Sequence, residues 1–300
     1  MAEKDISEKN SEALNDVFAD ITNTLLFGGE RIISESELEA ALPRSVYKAD
    51  GRLREQERDT AKYWKHSSIR LALIGFENQT AQEDVLPLRI IGYDGAAYRQ
   101  QLSYESDERG KRVRNRHPRY PVITLVLYFG SEPWKKPRSL LECLDIPEPL
   151  KPYVNDYPLH IFEIAQLTEE QVERFQSDFR IIADYFVQLR RHQRYTPQGT
   201  RLRHPQETLR LMSVLTNDRR FEESCNNLME EGKEVQNMCE VLDRIEARGE
   251  ARGRAEGEAR GRLHTLYALA HDGLLSAAVA AERADMTEEQ FLSGMKTFYL

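Results

Sequence analysis

Residues 71–101, LALIGFENQTAQEDVLPLRIIGYDGAAYRQQ, decide the reading of this chain. An apolar run from Leu71 to Phe76 breaks off into Glu77-Asn78-Gln79. A turn-like polar segment follows. Pro87 then opens an amphipathic helix over roughly 87–104, in the first turn, where its missing N–H has no intrahelical partner to lose. The pattern is a strand running out into a carboxylate, then a covering helix.

Working backwards, residues 59–64, DTAKYW, form a short strand, and Lys65 to Ser68 a polar turn. Residues 69–77 form the next strand. Side chains alternate along a strand, so Ile69, Leu71, Leu73, Gly75, Glu77 and Gln79 share one face. The midpoint of 59 and 77 falls at residue 68, in the turn. A simple antiparallel hairpin therefore sets Asp59 opposite Glu77. Working forwards, Val122 to Phe129 is a continuous apolar, β-branched run, which suits a strand buried on both faces. Residues 157–164, YPLHIFEI, are a further strand.

At the N-terminal side, 12–27 reads as a helix. Its apolar residues fall at 14, 17, 18, 21 and 25, the helical period, and Gly28-Gly29 ends it. Asp16 and Asp20 lie four apart on one of its faces. A second short helix is expected over 34–41. The order α, β, β, α, β, β gives an α/β class, a mixed sheet flanked by helices.

Beyond that sheet the chain reads as all-helical. Thr168 to Gln171 form a capping box that opens a helix to about 192. Helices over 205–216 and 218–246 follow. Residues 246–262, EARGEARGRAEGEARGR, hold only Ala, Arg, Glu and Gly, with Gly at 249, 253, 257 and 261. Each Gly costs about 1 kcal/mol against Ala in a helix, and Glu/Arg pairs four apart return only a few tenths of a kcal/mol each. A marginal helix or flexible connector is expected. Residues 263–300 read as a small unit of short helices around a tight turn, which fits a helix-turn-helix and equally a small interaction module. The organisation is a core over 11–165, a helical extension over 166–245, a connector over 246–262 and a terminal unit over 263–300.

Three hundred residues, 40% of them hydrophobic, support a sizeable core. The longest clearly apolar run, Pro121 to Phe129, is too short to cross a bilayer. The polar start MAEKDISEKN has no secretory h-region, so a cytoplasmic protein without a membrane partner is expected. The three cysteines, Cys143, Cys225 and Cys239, show no CxxC spacing. Cys225 and Cys239 are 14 apart and would share a face of the helix over 218–246 as buried thiols. The net charge of −8 weighs against strong nonspecific DNA binding by the whole surface. Two local tracks run against it. Residues 109–119, RGKRVRNRHPR, hold six Lys/Arg and no acid, and residues 190–204, RRHQRYTPQGTRLRH, hold five Arg and two His and no acid. Each reads either as a solvated loop or as a grip on phosphates.

Carboxylates at a strand end are hard oxygen donors and suit Mg²⁺ or Mn²⁺. Such a cation is what metal-assisted phosphodiester cleavage requires. Asp59 and Glu77, at the mouth of one hairpin, are the metal ligands of choice. Asp20, and after it Asp16, adds a ligand or a base from the first helix. Gln79 carries no charge and serves as a hydrogen-bonding group. The same acids also have a purely structural reading, in which they cap a sheet end or pair with an arginine such as Arg89.

The phrase ENQTAQEDVLPLRIIGYDGAAYRQQL resembles the recombination-promoting nuclease family of the PD-(D/E)XK superfamily, whose members are often labelled transposases. LNDVFADITNTLLFGG, PVITLVLYFG and the Gly-punctuated tail resemble it too, so the likeness spans about residues 12 to 285. The resemblance implies a restriction-endonuclease-like core and a metal-dependent DNA endonuclease that cuts double-stranded DNA in recombination or mobile-element and phage-related DNA processing. It places Asp59 at the first motif acid and Glu77 at the second. Gln79 stands where the superfamily usually has Lys, and Arg58, not Pro, precedes Asp59. Asp20 is assigned the first-helix acid. Arg112, Arg114 and Arg116 of the basic loop, with Arg89 and Arg99 of the covering helix, are the expected DNA contacts. A homodimer is a further expectation. The competing reading is a decayed nuclease core that serves as a DNA- or protein-binding scaffold. A transposase with a strand-transfer triad is a third, and no such triad stands out from the scattered acids.

Overall fold

The computed structural model describes residues 12–41, 44–49, 52–57, 59–102, 104–106, 112–114, 118–230 and 235–299, with backbone alone for 44–49, 52–57, 104–106, 112–114, 228–230 and 299. Helix α1 (Asn15–Phe27) comes first and ends on Gly28 in the left-handed region, at φ 63. A glycine adopts that conformation without the Cβ penalty of other residues.

The expected hairpin forms. Strands β4 (Thr60–His66) and β5 (Ile69–Gln79) pair antiparallel with Thr60 opposite Phe76, so Asp59 stands one step on, opposite Glu77. Their turn places Ser67 at a positive φ. Strand β8 (Val122–Tyr128) pairs parallel to β5, and β9 (His160–Glu163) pairs parallel to β8. The four make a mixed sheet with β1 (Leu38–Ala40) added beside β4 as an antiparallel edge. β1 corrects the short helix expected over 34–41. Only one turn of 3₁₀-helix, Glu35–Glu37, forms there, held by a capping box between Ser34 and Glu37. Pairing with β4 then takes the next three residues, because it satisfies backbone groups that a one-turn helix leaves open. Two two-stranded ribbons complete the β structure: β2 (Arg44–Ala49) with β3 (Arg52–Glu57), and β6 (Tyr104–Ser106) with β7 (Arg112–Arg114).

Helices cover both faces. α2 (Leu86–Gln100) has Pro87 in its first turn. It lays Leu86, Ile90 and Tyr93 on Val126, Tyr128 and Trp134. On the opposite face Phe18 of α1 stacks on Phe76, ring centroids 4.2 Å apart. Burying a side chain of that size stabilises by about 1.5–3 kcal/mol. Odd-numbered β5 residues therefore face α2 and even-numbered ones face α1.

A four-residue helix, α3 (Leu140–Cys143), precedes β9. The helix expected from 168 to 192 is split. The capping box at Thr168 and Gln171 is present, but α4 (Glu169–Glu173) is one turn long, and α5 (Phe179–His192) starts afresh. Asp20 explains the break, since its Oδ2 accepts the Gln176 and Ser177 amides at 2.8 and 2.7 Å. α6 (Pro205–Thr216) and α7 (Arg220–Glu230) follow. α7 and α8 (Met238–His271) are separate helices, because residues 235–237 are extended and bridge back to Arg201. This corrects the single helix over 218–246. Cys225 is buried and Cys239 half-buried, on different helices.

The chain divides into two compact units, Met1–Glu240 and Val241–Leu300. In the second, Leu266 and Tyr267 pack with Ala280 and Ala281 of α9 (Ala277–Arg283) and with Phe291 of α10 (Glu288–Tyr299). Residues 246–262 are helical, with every side chain exposed. Pairs such as Glu250/Arg254, Glu256/Arg260 and Glu258/Arg262 place an acid four residues before a base, the favourable orientation, against the cost of the four glycines. Among the described residues, no helix is long and apolar enough to cross a membrane.

Candidate functional site

The C-terminal end of β5 carries Glu77 and Gln79 on the α2 face, with Asp59 at the neighbouring end of β4. The Asp59 carboxylate turns onto the end of β5, where its Oδ2 accepts the Asn78 amide at 2.6 Å. Glu77 is 5% exposed. Gln79, two residues on, donates from Nε2 to Glu77 Oε1 at 3.3 Å. Arg89, from the first turn of α2, donates to the same oxygen at 2.6 Å and holds Glu83 at 2.8 Å with its other terminal nitrogen. Glu77, Gln79, Arg89 and Glu83 are thus joined in one network at the end of the sheet, with Asp59 on the Asn78 amide beside it.

Asn78 points to the other face. Its Nδ2 donates to Glu12 Oε1 at 2.9 Å, and Glu12 is fully buried. Lys62 lies on that face too, 3% exposed. Its ammonium donates to Ala13 O at 2.7 Å and to Asn15 Oδ1 at 2.6 Å. Burial pushes its pKa down from the usual lysine value. Glu12 and Asn78 are additions to the residues expected from sequence. Strand alternation puts Asn78 on the face away from Glu77, but nothing local announces Glu12, 66 residues away.

Asp20 is not brought to this site by any of its contacts. It is 2% exposed and accepts from Arg31 at 2.8 Å besides the two amides before α5. Asp16 meets His204 at 2.9 Å. Arg99 is exposed toward the far end of α2, ten residues or about 15 Å along the helix from Arg89. The side chains of Arg112 and Arg114 and all of Arg116 lie outside the described residues, as does Arg58. No cluster of three or more His, Cys, Asp or Glu suited to a metal ion occurs among the described residues. What does occur is the pair of hard oxygen donors, Asp59 and Glu77. That set suits Mg²⁺, which commonly takes one or two carboxylates and keeps several waters.

Residues 71–201 match the sequence model of the family described as "Putative transposase, YhgA-like". The match starts inside β5 and includes Glu77, Gln79, α2, β8 and β9. It does not reach Asp59. No curated protein and no solved structure matches the chain.

Proposed function

We propose that the chain is a divalent-metal-dependent DNA endonuclease with a restriction-endonuclease-like core, acting in recombination or in mobile-element or phage-related DNA processing. The observation that carries the reading is the Asp59/Glu77 pair, opposed across one hairpin at the end of the sheet, with Gln79 on the same face. The likeness of residues 71–201 to a transposase family supports DNA as substrate. Asp59 and Glu77 would hold Mg²⁺ or Mn²⁺, which supplies an acidified water and relieves charge at the phosphorus. The chain's own contribution is positional. The Asn78 amide orients Asp59, and Arg89 and Gln79 orient Glu77. Gln79 has no charge at neutral pH, so it aligns a water or phosphate by hydrogen bonding and does not take its proton. Arg89 brings a guanidinium to the same Glu77 oxygen to which Gln79 donates.

The second reading, a noncatalytic scaffold on a nuclease-like core, is favoured by the Arg89–Glu77 ion pair, which neutralises one of the two carboxylates. Supercoiled plasmid incubated with Mg²⁺, Mn²⁺, Ca²⁺ or EDTA separates the two. Nicking with Mg²⁺ or Mn²⁺ that is absent in EDTA and in Asp59→Ala supports the nuclease. Asp59→Ala cutting as fast as wild type removes Asp59 from the site. A folded wild type inert with every metal leaves the scaffold. Joining of labelled ends would instead reveal a transposase.

A further inference from the structure

The basic stretch 190–204 is only partly absorbed by the fold. Arg190 donates to Ala165 O, and Arg191 pairs with Glu169. Arg201 and Arg203 do something else. Between them Leu202 is buried at 5% exposure, and its amide donates to Gln236 O at 2.8 Å. Arg201 itself bridges to Asn237. The segment is thus pinned in extended form with its leucine inward, and alternation turns both arginines outward. Both are exposed.

They line one wall of an open groove of about 1000 Å³, and Arg180 of α5 lines it as well. Two acids also line it. Asp178 is 4% exposed and commits its oxygens to the amides of Arg203 and His204 and to the Thr208 hydroxyl. Glu173 is exposed at the rim. The groove runs on through Glu173, Arg180 and Thr200 into a second depression lined by Arg191 and His192 and by the acids Glu169 and Asp184. The first groove holds three arginines against two acids, and Asp178 is spent on backbone amides, so on a chain of net charge −8 it is a local reversal of sign. Guanidinium forks match phosphate oxygens in pairs, and the open shape suits a polymer better than a compact ligand.

We propose that this groove binds the phosphodiester backbone of double-stranded DNA, as a grip separate from the Asp59/Glu77 site. The identity of the polymer rests on the DNA reading above; the groove itself does not depend on catalysis. The test is fluorescence anisotropy of a short labelled duplex with the full chain in EDTA, titrated from low to high salt. Every phosphate that the protein ceases to neutralise lowers the slope of log K against log[salt] by about 0.9. Replacing Arg180, Arg201 and Arg203 together by Gln should therefore flatten the slope by up to about 2.7, with unchanged circular dichroism. If the triple variant does not fold, Arg201→Gln and Arg203→Gln singly should each remove about 0.9. A folded variant with the wild-type slope overturns the proposal. So does a wild type that does not bind duplex at low salt, or a slope that falls only when Arg112, Arg114 and Arg116 are replaced. Glu77→Gln should bind as wild type in EDTA, so loss of cleavage without loss of binding tells failure of the nuclease site from failure of the groove.

Discussion

Asp20 and Glu77 are both nearly inaccessible carboxylates, at 2% and 5% exposure, and both pair with an arginine. Their other partners differ. Asp20 accepts two backbone amides from the segment that starts α5, 156 and 157 residues away. Glu77 is held by the side chains of Gln79 and Arg89. Backbone donors cannot leave without unfolding the segment that carries them, so Asp20 ties α1 to the segment before α5. Side-chain donors can rotate away, so Glu77 can exchange partners while the sheet stays intact.

Opposite phenotypes follow for the two acids. The largest effect is on activity. Glu77→Gln should lower metal-dependent plasmid nicking by at least about 100-fold, the factor that some 3 kcal/mol of lost charge stabilisation represents, while its urea midpoint stays near wild type. A variant that cuts normally but melts early would make Glu77 a second Asp20.

Asp20→Ala should do the reverse. Leaving the Gln176 and Ser177 amides without an acceptor costs about 1–3 kcal/mol each when buried, so the urea midpoint should fall clearly. The fraction still folded should keep its specific nicking rate. An unshifted midpoint would show that water replaces the carboxylate at no cost.

Asn78 lies between the two cases, since its amide holds Asp59 and its side chain holds Glu12. Asn78→Ala keeps the amide and removes only the side chain. The expected outcome is a loss of about 1 kcal/mol in stability and a fall of a few-fold in nicking. An unchanged rate would show that Glu12 does not help to position the strand end.

Asp184 gives the smallest effect and an acid of a third kind. Its main perturbation is burial, which raises its pKa, with a hydrogen bond from Gln188 opposing. A carboxyl whose folded pKa is raised binds its proton more tightly in the native state. Its charge therefore costs stability once the pH is above the folded value, and that cost vanishes below the ordinary value of 3.8. Asp184→Asn should raise Tm slightly at pH 7, and the gain should shrink as the pH falls toward 4. A gain independent of pH would assign it to packing.

Local chemistry made much of the sheet legible. The polar turn at 65–68 announced the hairpin, and a β-bulge between Trp64 and Lys65 shifts its register by one residue to pair Thr60 with Phe76. Gly28-Gly29 ended α1, Pro87 began α2, and VITLVLY formed a strand buried on both faces. Alternation placed Glu77 and Gln79 on one face, where a hydrogen bond joins them. The departures from local expectation share a cause. Residues 38–40 became an edge strand because β4 offered unpaired backbone, the run 168–192 split because Asp20 takes amides at its midpoint, and the run 218–246 broke where residues 235–237 pair with the Arg201–Leu202 segment.

By itself the sequence determined the α/β class, the β4–β5 hairpin and the strand end that carries Glu77 and Gln79 on one face, because these follow from period, turn chemistry and neighbours a few residues apart; the bulge that sets Asp59 opposite Glu77 was decided by the sheet. Only the tertiary structure decided which partner each acid meets. It gave Asp20 to the start of α5, Glu12 to Asn78, Arg89 to Glu77, and Arg201 and Arg203 to a groove. Each of those outcomes depends on a hydrogen-bond partner or wall brought from elsewhere in the chain, and a buried charge takes whichever donor the packing brings within reach.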